Sequence, residues 1–416
     1  MNNNSIKNSI LLWSLANLFF AFQFILRLSA GILREDIIQK FAVDAASFGT
    51  LAGYYYIGYS SAQIPLGIML DRLSFRFVTS VAIATSAVGT MMFVTANDWD
   101  LLLFGRFLIG AGSGVAFLAV AKIIKIRFDK KFHSMLIGLS FSFGLIGAVF
   151  GSTPMKLLFE HFGYDYTFNV LTVIGFVLAV MMLIFGKLEN NDESTHATVG
   201  DTAKAILKLI SNPTIILIGI SGGLMVGALE GFADVWAIPF FNQAFQMTAT
   251  QSTTITSFVY VGMCFGGPVL ALAAGLLRSA NLMIFLTGVL TIAIFVILFY
   301  LPPLSFTMSA VLMFTLGILC CYQVLVFTVV SSQVEASSAG LAIAVTNCIN
   351  MSFGHFFHTT IGNAFQASWD GLLSETGNAL YSIDNFIYAL AIIPICCFIG
   401  QFGFAFLAIK GRNSNH

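Results

Sequence analysis

Charge is scarce in this chain. Of 416 residues only 9% are Asp, Glu, Lys or Arg, against roughly 25% in soluble domains, while 58% are hydrophobic and the mean hydropathy is +0.90. A soluble fold could not hide that much apolar surface, so the composition points to a protein whose solvent is lipid. The formal net charge is zero, which removes the broad field expected of a nucleic-acid binder or of a protein with an acidic partner. Cysteine is sparse too. Cys264, Cys320, Cys321, Cys348, Cys396 and Cys397 all lie in apolar stretches, which excludes a disulfide-stapled secreted fold and leaves no zinc pattern. No nucleophile with a base, metal cluster or phosphate loop occurs at usable spacing, so an enzyme is disfavoured and no cofactor is expected.

Long apolar runs fill the space that charge leaves. A spanning helix needs about 20 mostly apolar residues, and such windows occur near 10–32, 47–69, 76–96, 100–123, 133–155 and 166–187, then near 213–238, 251–277, 280–301, 304–330, 337–363 and 385–409. The first exceeds a signal-peptide core of about 7–15 residues and lacks a clear small-residue cleavage site, so it reads as a retained span. A polar break carries Glu189-Asn-Asn-Asp-Glu-Ser-Thr-His196 and then a lysine-bearing amphipathic stretch. The expectation is an all-α integral membrane protein of twelve transmembrane helices. Residues 1–187 form one six-helix half, 188–212 a cytoplasmic linker and 213–416 the second half.

Sidedness follows from where Lys and Arg fall, because positive loops stay cytoplasmic. With the N-terminus inside, fourteen of the nineteen basic residues fall on the cytoplasmic side, among them Arg72, Arg76, Lys122, Lys125, Arg127, Lys130 and Lys131. Only Arg34, Lys40 and Lys156 fall on the other face, and Arg27 and Arg106 lie within spans. Both termini are therefore expected in the cytoplasm.

The loop between the second and third spans reads Gly67-Ile-Met-Leu-Asp71-Arg72-Leu-Ser-Phe-Arg76. Here the chain resembles the major facilitator superfamily, whose signature at this loop is a Gly, a few apolar residues, Asp-Arg, and then a basic residue; Leu73-Ser74 departs from it where a Gly is usual. Such a motif can work as a charge latch, with Asp71 accepting from Arg76 or from a neighbouring helix end until the inner gate opens. A solvated turn that only enforces topology is the plainer alternative. The counterpart loop, Gly275-Leu-Leu-Arg278, keeps only Gly and Arg.

The fourth span opens Gly105-Arg106 and continues through Gly110, Gly112 and Gly114, again resembling the superfamily. A nucleotide loop would have to follow a strand and open a soluble helix, so that reading is rejected. Small residues let helices approach closely in lipid, and Arg106 must then face protein or cavity. The fifth span carries Gly138, Gly144, Gly147, Gly151 and Pro154, resembling the glycine-rich fifth helix of proton-coupled members, although helix packing alone explains those glycines equally well.

Glu230 and Asp234 are the only carboxylates set within an apolar span. Four residues apart, they share one helix face. A buried carboxylate is driven toward a range where it can load and release protons, and Glu230, the deeper of the two, is the better candidate. Arg27 reaches a similar depth in the first span. An Arg27–Glu230 pair, or both gripping a zwitterionic solute, is the sharp reading; a salt bridge that only fixes packing is the plain one. His355 and His358 lie one turn apart in the eleventh span. With no third ligand identifiable, metal is disfavoured, and a proton, substrate or structural role stays open. Gln323 in the tenth span and the tyrosines Tyr54, Tyr55, Tyr56 and Tyr59 complete the polar set.

Gln63-Ile-Pro-Leu-Gly67, Arg27-x-Ser29, Asn347-Cys-Ile-Asn-Met351 and Asp234-Val-Trp-x-x-Pro-Phe240 are similar to runs in a prokaryotic branch related to lysosomal dipeptide carriers. That resemblance implies a monomeric secondary transporter of the cell inner membrane, moving an amino acid or small peptide by alternating access with proton coupling. Arg27 and Arg106 would hold an anionic group, and Glu230 and Asp234 a cationic group or a proton. A carrier of organic or metabolite anions and an uncoupled facilitator are the rivals.

Overall fold

The computed structural model describes residues 3–188, 199–335, 338–373, 377 and 379–413. The acidic run Glu189–His196 lies outside the described residues, as does Glu375. What is described is helical, with no strand among the described residues beyond an isolated bridge between Leu373 and Ala379.

In chain order the first half contains α1 (Asn3–Ile32), α2 (Arg34–Phe41), α3 (Ala45–Arg72), α4 (Phe75–Thr95), α5 (Trp99–Ser113), α6 (Ala116–Arg127), α7 (His133–Phe150), α8 (Thr153–Phe162) and α9 (Tyr164–Phe185). The amphipathic α10 (Val199–Ile210) follows. The second half contains α11 (Pro213–Met225), a π-helix (Gly227–Trp236), α12 (Ala237–Phe245), α13 (Ala249–Leu277), α14 (Ala280–Tyr300), α15 (Phe306–Cys320), α16 (Tyr322–Ser331), α17 (Ala339–Ser368), α18 (Ile383–Leu390) and α19 (Ile392–Asn413). Among the described residues ten stretches are long and apolar enough to cross a bilayer, several of them built from two helices in line. The remaining two of the twelve expected spans are α3 and α17. Both are long enough, at 28 and 30 residues, but diluted by Tyr, Ser and Gln in α3 and by Asn, His and Thr in α17.

The helices group into two compact units, Met1–Ser29 with Tyr54–Lys204, and Ala30–Gly53 with Ala205–His416. The boundary runs through α1 and α3, so the end of α1, α2 and the start of α3 belong with the second unit.

In the first unit α4 packs on both α5 and α9. Along α9 the exposed residues Tyr166, Val170, Val173, Val177, Val180 and Ile184 recur every three or four positions, while Phe168, Leu171, Leu178 and Met182 are buried. An apolar stripe on both faces is what lipid on one side and protein on the other require. Glycine sets how closely the helices approach. A Cβ on Gly110 of α5 would overlap the Tyr55 carbonyl of α3, and one on Gly147 of α7 would overlap the Ala21 backbone of α1. The fifth-span glycines thus serve packing at Gly144, Gly147 and Gly151, whereas Gly138 has open space beside it. In the second unit α13 packs on α15, and α11 on α17 and α19.

Gly110→Val should therefore lower the thermal stability of the detergent-solubilised protein by about 1–3 kcal/mol or more, the usual range for overpacking, and Gly138→Ala should leave the melting curve unchanged. Equal curves for the two variants would contradict the close α3–α5 approach.

Candidate functional site

The first unit gathers its intramembrane cations at one place. Arg106 is 2% exposed, and its two terminal nitrogens donate to the carbonyls of Leu26 at 2.7 Å and Arg27 at 2.6 Å on α1. Its guanidinium lies over the Tyr55 ring, 5.0 Å from the centroid, and the Tyr55 hydroxyl donates to Gln23 Oε1 at 2.7 Å. Arg27, 8% exposed, sits over Phe24 at 5.6 Å and Tyr56 at 5.3 Å. Arg27 and Arg106 are thus neighbours, tied through the α1 backbone. A planar fork suits this role, because carbonyl oxygens and ring faces hold a guanidinium without cancelling its charge. Of the four tyrosines, Tyr55 and Tyr56 are buried and Tyr54 and Tyr59 half-buried.

On the same unit Asp71 accepts not from Arg76 but from a lysine near the end of the neighbouring α6. Lys122 of α6 donates to Asp71 Oδ1 at 3.0 Å and to the Leu70 carbonyl at 2.5 Å. The side chain of Asp71 is largely exposed and that of Lys122 largely covered, so the ion pair itself contributes little, while the lysine also satisfies the carbonyl near the end of α3. Gly67, Arg72 and Arg76 lie around the α3–α4 turn as their spacing implies.

The second unit gathers the acids. Glu230 and Asp234 are 1% and 4% exposed and stand in the π-helix that interrupts the seventh span, where the Ala237 N–H reaches the Phe232 carbonyl five residues back. Their spacing of four keeps them within one turn in this wider helix. Such π segments occur frequently at functional sites, and spans broken near mid-membrane are where transporters place substrate and ion sites. Tyr260 of α13 donates to Asp234 Oδ1 at 2.9 Å. Tyr322 of α16 donates to the Gly222 carbonyl at 2.7 Å.

His358 is buried on α17 and His355 half-buried beside the Gly53 backbone. Gln323 is half-buried next to Tyr322. Among the described residues no three His, Cys, Asp or Glu side chains are placed to hold a metal. The sequence reading missed the π-helix, the Tyr260 donor, the Gln23–Tyr55 bond and Lys122. The run of tyrosines in α3 was the one available signal, since hydroxyls inside a span need partners.

Arg106→Lys keeps the charge but replaces the two-nitrogen fork and its ring stacking with a single compact ammonium. It should lose about 1.5–3 kcal/mol of stability, the range for hydrogen bonds from charged groups, read as a lowered unfolding temperature. A wild-type temperature would mean that the two contacts are incidental.

The model of the Major Facilitator Superfamily matches residues 13–358. Among curated proteins the chain is 22% identical over 264 residues to an uncharacterized transporter, YybO, of Bacillus subtilis, a match covering 58% of this chain and 60% of that protein. It is 24% identical over 239 residues to vesicular glutamate transporter 2 of Mus musculus, covering 53% of this chain and 39% of that one. The matches thus span less than two thirds of these relatives. Among solved structures, a bacterial homologue of the human lysosomal transporter Spinster, inward-facing and unoccupied, superposes with a TM-score of 0.74 at 15% identity over 96% of this chain and 97% of that one. The nucleoside transporter NupG gives 0.73 at 13% over 97% and 98%. These identities support the fold alone. With twelve membrane spans, several built from two helices in line, and the family model matching from the first span into the eleventh, the chain belongs to the Major Facilitator Superfamily.

Proposed function

We infer that the protein is a secondary transporter that moves a small polar solute, with amino acids or small peptides favoured, by alternating access coupled to protons. The observation that carries this reading is the pair Glu230 and Asp234, almost wholly buried in the π-turn of a broken span. A carboxylate at that depth costs about 2.5–3.5 kcal/mol or more unless it is paired, protonated or facing water. A group whose charge depends so strongly on its surroundings can change protonation as those surroundings change. The halves 1–187 and 213–416 would alternate about the solute, working as a monomer in the inner membrane. The excess of Lys and Arg on one side favours both termini in the cytoplasm. Arg27 and Arg106 would take the solute's anionic group, and His355, His358 and Gln323 would line its path.

The short runs resembling a lysosomal dipeptide carrier branch favour the peptide class, and the vesicular glutamate transporter among the relatives is compatible with an amino acid. A second reading, a carrier of organic anions, is favoured by the two clustered arginines and by a nitrate/nitrite transporter among the relatives.

Uptake into proteoliposomes under an inward proton gradient tests the assignment, with dipeptides, amino acids, organic acids and sugars as solutes. Accumulation of a dipeptide or amino acid that Glu230→Gln abolishes is the expected result. Gradient-independent uptake would remove proton coupling, and accumulation of organic acids alone would move the solute class to anions. Asp71→Asn and Lys122→Ala should both slow transport several-fold while leaving surface expression near normal, as judged by surface biotinylation. Normal transport in both would reduce the loop to a topology signal.

A further inference from the structure

A separate cavity of about 370 Å³ lies in the second unit, bounded by α2, the α2–α3 turn, α12 and the segment leading into α18. Arg34 contributes its most deeply buried charge. This side chain is only 9% exposed, and its guanidinium lies 5.3 Å over Trp236 and 5.9 Å over Phe48. Among the described residues it pairs with no carboxylate, and its Nε donor has no acceptor. Burial pushes its pKa down, with Glu35 acting the other way. Arg34 nevertheless stays protonated, as arginine does throughout proteins. A buried charge in no direct ion pair, with a donor left open, is normally compensated, and the carboxylates on the rim act on it only at a distance, so Arg34 is suited to an anionic group from outside the chain.

The same cavity holds the complementary need. Asn242 Oδ1 is buried without a donor among the described residues, and the rim carries Glu35, exposed, and Asp44, half-buried. Asp44 spends one oxygen capping α3 through the Ser47 N–H at 2.7 Å. The cavity therefore offers an orphaned cationic donor in its interior and an orphaned acceptor with two carboxylates around it. A simple anion would meet repulsion from Glu35 and Asp44, and a simple cation repulsion from Arg34. A molecule carrying both charges a few bonds apart meets neither. The volume falls at the lower end of the roughly 300–1,000 Å³ typical of small-molecule sites.

We propose that this cavity binds a small zwitterion of the α-amino-acid type, with its carboxylate on Arg34 and its ammonium toward Asn242, Glu35 and Asp44. Trp236 and Phe48 hold the guanidinium plane in position. The site is separate from the Glu230–Asp234 pair and stands on this cavity alone, so it holds or fails independently of proton coupling.

The indole under Arg34 is a local reporter. With Trp13, Trp99 and Trp369 replaced by Phe, Trp236 is the remaining tryptophan of the four. The full chain in nanodiscs is titrated with L-alanine, acetate and methylammonium while its emission is followed, and calorimetry on the unsubstituted chain makes the same comparison without the tryptophan changes. L-Alanine should give a saturable change, with acetate and methylammonium at least tenfold weaker. Arg34→Gln should abolish the response and Glu230→Gln should retain it, each variant being checked for normal helicity. The exposed-site variant Glu35→Gln should narrow the advantage of alanine over acetate. Three results would each overturn the proposal: no saturable response to alanine, acetate binding as tightly as alanine, or an alanine response that survives Arg34→Gln.

Discussion

Placing an ionised side chain inside a bilayer costs more than a single ordinary contact returns, and much of this structure is arranged around that cost. Among the described residues Arg27, Arg34, Arg106, Glu230 and Asp234 are held away from water. Arg106 meets the cost by donating to two carbonyls of α1 and lying over a tyrosine ring. Asp234 accepts from Tyr260. Arginine suits the first unit because a delocalised cation can rest on ring faces and backbone oxygens with its charge intact. Carboxylates suit the second because they can discard their charge by taking up a proton. Arg27 and Arg106 thus stand together in the first unit and Glu230 and Asp234 in the second, where Arg34 is also buried.

The helices bend to this arrangement. The π-helix from Gly227 to Trp236 lies where α11 would otherwise continue, with Glu230 and Asp234 within it. Glycine-mediated contacts bring other helix backbones together, Gly110 of α5 against Tyr55 of α3 and Gly147 of α7 against Ala21 of α1, while Arg106 of α5 reaches the carbonyls of α1 through its own long side chain.

Much of this was legible in the sequence. The apolar windows locate the spans, and the scarcity of charge makes each intramembrane ionisable residue stand out, so Arg27, Arg106, Glu230 and Asp234 could be named from their neighbours. The spans at α3 and α17 were also legible, as the apolar windows at 47–69 and 337–363, although polar residues dilute them. Partners were not legible. Nothing in the Asp71 loop indicates Lys122, which lies about fifty positions along the chain and meets it only once α6 has packed beside α3. The π-turn leaves little trace, since its residues would also suit an α-helix. Arg34 was read from position alone as one of three cations on the sparsely basic face, and its burial depends on Trp236 and Phe48, which no local pattern connects to it.

In the proposed proton coupling Glu230 would carry a proton in the resting protein and release it during transport. Infrared difference spectroscopy of the purified protein, with and without a transported solute, observes that proton directly through the carbonyl stretch of a protonated carboxyl. The expected result is a protonated-carboxyl band that shifts or disappears on addition of solute, and that is absent from Glu230→Gln but present in Asp234→Asn. The same band, unchanged, in Glu230→Gln would show that another group carries the proton and would contradict the central assignment.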